Sequence, residues 1–322
     1  MTTRPPRLPV GPGSTTLSGV FTALVTPFGA EGSIDEAALR RLVEHQVRAG
    51  VAGLVPCGTT GESPTLTPSE REMVIATCVE LAANATRDGV RPSVIAGTGT
   101  NDTAASITST RRAAELGADL ALVVAPYYNR PNQAMLEAHF RAVAEEGGLP
   151  IVVYNVPSRT ASNVEAATLL RLAEHPRIVG VKEASNNLDQ IAVICRERPP
   201  GFAVLAGDDI WTFPVMALGG DGVISVASNE LPAEMVALCA SARSDEWDRA
   251  RSIHERLLPL FRAHFAGAPN PVPVKAALSM LGLTSDRVRL PLLPLDDALR
   301  DGLAAALHEA GAAPAEAAAV GA

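Results

Sequence analysis

Residues 119–125 read DLALVVA, 150–154 read PIVVY and 178–182 read IVGVK. These short, apolar, largely β-branched runs are set about thirty residues apart, the repeat of a strand–helix–strand unit. Continuous apolar runs of this length suit strands buried on both faces, as in a parallel sheet. Outward from them the pattern recurs at 20–26 (VFTALVT), 52–56 (AGLVP), 93–97 (SVIAG), 202–206 (FAVLA) and 222–226 (GVISV). Amphipathic stretches between the runs predict helices near 35–49, 68–83, 103–116, 132–146, 164–174, 187–197 and 209–218. Asp35 and Glu36 mark the start of the first helix, and Pro68-Ser69-Glu70 that of the second. Eight strand units separated by helices predict a (β/α)8 TIM barrel.

An open doubly wound sheet is the alternative. The first strand, however, runs into TPFGAEGS (26–33) rather than a GxGxxG turn, so a dinucleotide site is missing from its usual place. GTGTN at 97–101 reads as a tight turn after a strand. Beyond the eighth strand the pattern is helical, with helices expected near 230–243, 245–266, 271–281 and 296–310. The expected organisation is a flexible Pro/Gly-rich segment at 1–16, a catalytic barrel at 17–240, a helical C-terminal domain at 241–310 and a flexible Ala-rich tail at 311–322.

The 322 residues carry a net charge of −8 with no basic run, which argues against a nucleic-acid partner. No apolar stretch suits a signal peptide or a membrane span, so a soluble cytoplasmic protein is expected. Cys57, Cys78, Cys195 and Cys239 form no CxxC pair and read as reduced, mostly buried thiols. The six histidines, His45, His139, His175, His254, His264 and His308, all fall in helices or at helix ends and read as surface or helix-face residues. No metal site and no cofactor is expected.

Of the 27 basic side chains only Lys182 and Lys275 are lysines. Arginine cannot replace an amine that must act as a nucleophile, because guanidinium stays protonated. Barrel active sites lie at the C-terminal ends of the strands, and Lys182 closes the sixth. Desolvation there favours a neutral amine, which can attack a keto carbon and form an imine. The rival reading is a structural lysine paired with Glu183, which strand alternation should point away from the lumen. Tyr154 closes the neighbouring strand and can carry protons. Thr59 can pass protons through its hydroxyl, and the 58–61 turn can offer amides to a carboxylate. Arg159, a few residues beyond Tyr154, can grip a second carboxylate. Asp208-Asp209, at the end of the seventh strand, could bind a cation but reads rather as a helix cap, and Lys275 reads as structural, in an ion pair.

The motifs GTTGES (58–63), PYYNRP (126–131), YNVPSRT (154–160), VKEAS (181–185), AGDD (206–209), GVISV (222–226) and PNPVPVK (269–275) occur in the order found in the dihydrodipicolinate synthase family of pyruvate-dependent lyases. The chain resembles that family from about residue 17 to 310. The resemblance implies that Lys182 forms a Schiff base with pyruvate and that Tyr154, Thr59 and Tyr128 relay protons, Tyr128 from a neighbouring subunit. It implies that Thr59 and Thr60 hold the pyruvate carboxylate, that Arg159 binds L-aspartate 4-semialdehyde, and that Gly207 and Ile224 line the pocket. It also implies a homotetramer built from tight dimers. A sugar-acid lyase of the same superfamily and a non-catalytic keto-acid-binding barrel are the alternatives. Many family members are inhibited by lysine at the tight-dimer interface, where Ser63, Asn101 and Tyr127 match the site. This chain departs from the pattern by carrying Ala105 for the usual acid and Arg71 where histidine is common. Weak or absent lysine inhibition is therefore expected.

Overall fold

A computed structural model describes residues 17–85 and 91–312; the segment 1–16 and the tail from 313 lie outside them. The strands are β1 (Gly19–Ala23), β2 (Gly53–Val55), β3 (Ser93–Gly97), β4 (Leu120–Val124), β5 (Ile151–Asn155), β6 (Ile178–Glu183), β7 (Ala203–Ala206) and β8 (Gly222–Ser225). They close in chain order into one barrel, with β1 paired in parallel to both β2 and β8. The expected (β/α)8 barrel is the fold observed.

Helices α1 (Glu36–Ala49), α2 (Pro68–Asn84), α3 (Thr103–Glu115), α4 (Gln133–Glu146), α5 (Pro157–Thr160), α6 (Ala166–Ala173), α7 (Leu188–Glu197) and α8 (Thr212–Ala217) follow the first seven strands. Their starts obey local chemistry. The Asp35 carboxylate accepts the Ala38 amide at 2.9 Å to cap α1. Thr67 and Glu70 form a reciprocal capping box on α2, with Pro68 in its first turn. Two expected helices are more broken than their periodicity suggests. The stretch after β5 opens with the single turn α5 before α6, and α8 is preceded by a 3-10 turn at Asp209–Trp211. In the second case Asp209 does not cap its own helix, because its carboxylate accepts the Val226 and Ala227 amides, each at 2.9 Å.

Strand alternation divides the buried residues between two cores. Phe21, Ile95, Val152, Leu205 and Ile224 belong to a small cluster drawn from the strands and their ends, which fills the lumen. Val20, Val94, Val153 and Val204 pack with the helices in the larger cluster. Helix α9 (Pro232–Arg243) packs on α8, α1 and β1 and completes the outer layer. Helices α10 (Trp247–Ala263), α11 (Val272–Met280) and α12 (Asp297–Glu309) follow it.

The C-terminal segment reaches back to the barrel mouth. Lys275 is fully buried, bonded to the Glu62 carboxylate and, at 2.7 Å, to the Arg287 carbonyl; its amine also lies 4.0 Å over the Phe28 ring. Arg289 binds the carbonyls of Gly32 and Thr65 and the Glu70 carboxylate. The expected ion pair at Lys275 is thus present, with Glu62.

Two histidines are deeper than a surface reading allows. His264 is buried against Glu230 at 2.8 Å, and His139 is buried with its Nδ1 2.9 Å from the Thr103 hydroxyl. The four cysteines are free thiols; burial pushes Cys57 and Cys239 up to about 12, which makes them inert. Among the described residues no helix is long and apolar enough to cross a membrane.

Candidate active site

The register of β5 on β6 pairs Tyr154 with Lys182 and Asn155 with Glu183. Alternation sends the first pair into the lumen and the second toward the helices. Lys182 is only 5% exposed, and its Nζ lies 4.4 Å from the centre of the Tyr154 ring. Among the described residues it has no ion-pair partner. The Glu183 carboxylate is engaged elsewhere, accepting from Asn155 Nδ2 and Gln190 Nε2 at 3.1 Å and from the Ser185 amide at 2.8 Å. Burial pushes the Glu183 carboxyl up, and these donors offset that effect. The structural alternative for Lys182, an ion pair with Glu183, is not the arrangement found.

In a ring of eight strands β2 stands opposite β6. The turn after β2 therefore faces Lys182 across the mouth. Its first and last residues, Cys57 and Glu62, are left-handed, with φ of 57° and 54°. The Gly61, Glu62 and Ser63 amides bond back to Gly58 and Thr59 carbonyls at 3.1–3.3 Å. The Thr59 and Thr60 amides donate to no group among the described residues, so they are the pair available to an anion. Thr60 is itself held from the C-terminal side, its hydroxyl accepting from Asn270 Nδ2 at 3.0 Å. Glycine at position 97 is a packing requirement for this turn. A Cβ there would sit 2.2 Å from the Cys57 carbonyl oxygen.

Gly207 directly follows β7, and Ile224 lies within β8. A Cβ on Gly207 would meet the Ala184 Cβ at 2.7 Å, so β7 can approach the end of β6 only with glycine there. Ile224 is buried in the lumen cluster. Arg159 is exposed on α5 and lines an open cleft of about 660 Å³ with Ser158, Asn186, Asp208 and Trp211. Tyr128 stands apart. It is 88% exposed with φ of 75°, and it makes no hydrogen bond to Tyr154 or Thr59 within the protomer.

One feature of the cleft is not in the sequence reading. Phe261, Arg262 and Phe265, in and just beyond the last turn of α10, close one side of it, although the sequence rule confines the site to strand ends. Asp208 and Asp209 diverge from their shared reading as a cap, since Asp209 Oδ2 accepts the Val226 and Ala227 amides of the next unit. Asp208 makes no side-chain cap, and its Oδ1 is enclosed without a donor.

The dihydrodipicolinate synthetase family model matches residues 16–310. The chain is 49% identical over 292 residues to a 4-hydroxy-tetrahydrodipicolinate synthase of Moorella thermoacetica, covering 91% of this chain and 98% of that one. The crystal structure of dihydrodipicolinate synthase from Aquifex aeolicus has a TM-score of 0.88 at 43% identity, covering 93% of this chain and 100% of that one. The chloride-inhibited dihydrodipicolinate synthase from Acinetobacter baumannii, complexed with pyruvate, also has a TM-score of 0.88, at 38% identity over 92% of this chain and 100% of that one. With the family model covering almost all of the described residues, the chain belongs to the dihydrodipicolinate synthetase family.

Proposed function

We infer that this barrel is a Schiff-base-forming lyase that condenses pyruvate with L-aspartate 4-semialdehyde to give 4-hydroxy-tetrahydrodipicolinate, in the diaminopimelate and lysine pathway. The observation that carries the chemistry is Lys182: a buried amine at a strand end, against a phenol ring and without a counter-ion. A neutral amine there attacks the keto carbon of pyruvate, and loss of water leaves a protonated imine. That imine acts as the electron sink when the pyruvate methyl loses a proton, and the resulting enamine attacks the aldehyde carbon. Tyr154, Thr59 and Tyr128 are assigned the proton transfers. The Thr59 and Thr60 amides and hydroxyls would hold the pyruvate carboxylate, and Arg159 that of the semialdehyde. The exposure of Tyr128 on the isolated protomer suits a side chain donated to a neighbouring subunit of a homotetramer. Four free thiols, three of them buried, suit a reducing cytoplasm.

The test is a coupled assay with pyruvate and L-aspartate 4-semialdehyde beside a sugar-acid cleavage assay. Saturable turnover that requires both substrates is the expected result. Cleavage of a 2-keto-3-deoxy sugar acid or of N-acetylneuraminate without the condensation would transfer the chain to the sugar-acid branch. Pyruvate binding with no turnover would make it a binding protein.

A further inference from the structure

Behind the lumen pair Tyr154 and Lys182, the next residue of each strand opens into a second, polar network. Asn155 and Glu183 are buried, and Asn155 uses both ends of its amide. Its Oδ1 accepts the Val164 amide at 2.9 Å, while its Nδ2 donates to Asn163 Oδ1 at 2.9 Å and to the Glu183 carboxylate at 3.1 Å. Gln190 on α7 closes the ring, its Nε2 donating to Glu183 at 3.1 Å and its Oε1 accepting from Asn163 Nδ2 at 2.9 Å. Turning the Asn155 amide over would set its oxygen against a carboxylate. Glu183 therefore fixes how Asn155 meets residues 163 and 164.

Those two residues end the loop that carries Arg159. Within residues 156–163 the Arg159, Thr160 and Ala161 amides return to the Val156 and Pro157 carbonyls, and Thr160 Oγ1 bonds to the Val156 and Ser162 carbonyls. The loop is thus braced internally. Among the described residues, every hydrogen bond from it to another element is made at Asn163, with Asn155, Gln190 and Gln133. Where Arg159 points therefore depends on the network at the loop's end. Lys182 has no such dependence, because the sheet holds it on both sides, in register with Tyr154 of β5 and Leu205 of β7.

We propose that Glu183 is a positioning residue for the second substrate: by orienting the Asn155 amide it clamps the loop that carries Arg159, and so sets where the carboxylate of the aldehyde is received. This rests on the role assigned to Arg159 above and names the device that aims it. A buried carboxylate without a cationic partner is costly, and three N–H donors around it offset that cost only while the ring stays closed.

The experiment uses Glu183→Gln, which keeps the volume but turns one carboxylate oxygen into a donor among donors. Initial rates are measured over both substrates, and pyruvate binding is read separately from borohydride trapping of the imine. KM for L-aspartate 4-semialdehyde should rise at least about tenfold, the size of a lost charge-assisted contact. The pyruvate concentration for half-maximal trapping should stay within about twofold, because Lys182 is held by the sheet. Adding Asn155→Asp to this variant exchanges the roles of carboxylate and amide, and Asn163 and Gln190 can follow by turning their own amides over. The double variant should therefore recover most of the lost aldehyde affinity. Asn163→Ala cuts the ring at a half-buried loop position and should show the same split between the substrates; it decides the matter alone if Glu183→Gln does not fold. An aldehyde KM within about twofold of the parent, even with lowered thermal stability, overturns the proposal and leaves the network a structural one. So does a matched loss of imine trapping, or a double variant no better than the single. If Arg159→Ala leaves the aldehyde KM unchanged, the role of Arg159 fails instead.

Discussion

The chain keeps two lysines, and both are buried, yet their surroundings are opposites. Lys275 is sealed where α11 meets the barrel mouth, bonded to the Glu62 carboxylate and a backbone carbonyl. Lys182 emerges at the end of β6 with the Tyr154 ring beside it and no carboxylate bonded to it. Burial pulls the Lys275 pKa down to about 8, against the opposing effect of Glu62, but its N–H groups are committed to the Glu62 carboxylate and the Arg287 carbonyl. Burial alone therefore does not make a nucleophile. An amine also needs freedom from a counter-ion, and of the two only Lys182 has it. Glu183 shows how that condition is met, since Asn155, Gln190 and the Ser185 amide absorb the one carboxylate next to Lys182 in sequence.

The contrast can be broken by exchanging what each lysine loses. Lys182→Arg keeps the charge and removes the nucleophile, so turnover should fall to background while thermal unfolding stays near that of the parent; residual turnover would mean that another group forms the intermediate. Lys275→Met should do the reverse. It leaves Glu62 buried without its partner, at a cost of about 3–5 kcal/mol in denaturant unfolding, while the fraction that remains folded still forms the pyruvate imine at Lys182. A stable variant with no imine would move Lys275 into the chemistry. Tyr154→Phe keeps the ring over the Lys182 amine and removes the hydroxyl. Turnover should drop by roughly 10²-fold with little change in stability, and a drop much smaller than that would reduce Tyr154 to a packing residue.

The smallest expected effect concerns free lysine as a ligand, and it applies the same rule about counter-ions. Ala105 offers no anion to an ammonium, and Arg71 is fastened to the Ser63 carbonyl at 2.5 Å, next to where the effector would lie. Burying an ammonium there without a carboxylate is unfavourable, so millimolar lysine at subsaturating pyruvate should change initial rates by less than about twofold. Strong partial inhibition would show that a different carboxylate serves the site.

The barrel was legible because each strand is an unbroken apolar run and the starts of α1 to α4 and of α7 carry their own caps, both local signals. The proximity of Lys182 and Tyr154 was legible because neighbouring strand ends in a barrel share one mouth. What escaped was set by distant pairing. Asp208 and Asp209 are adjacent and identical in sequence, yet the Val226 and Ala227 amides of the next unit engage only the second. Likewise, nothing in the periodicity of α10 says that Phe261 and Arg262 border the cleft, or that His264 turns inward to Glu230. Tyr128 is exposed, as the proposed role in a neighbouring subunit requires.

Borohydride reduction in the presence of pyruvate, followed by peptide mapping, separates the two lysines in one step. The expected product carries the reduced pyruvyl group on the peptide containing Lys182 and leaves the Lys275 peptide unmodified. Label on Lys275, or no label at all, would contradict the assignment of Lys182 as the Schiff-base residue.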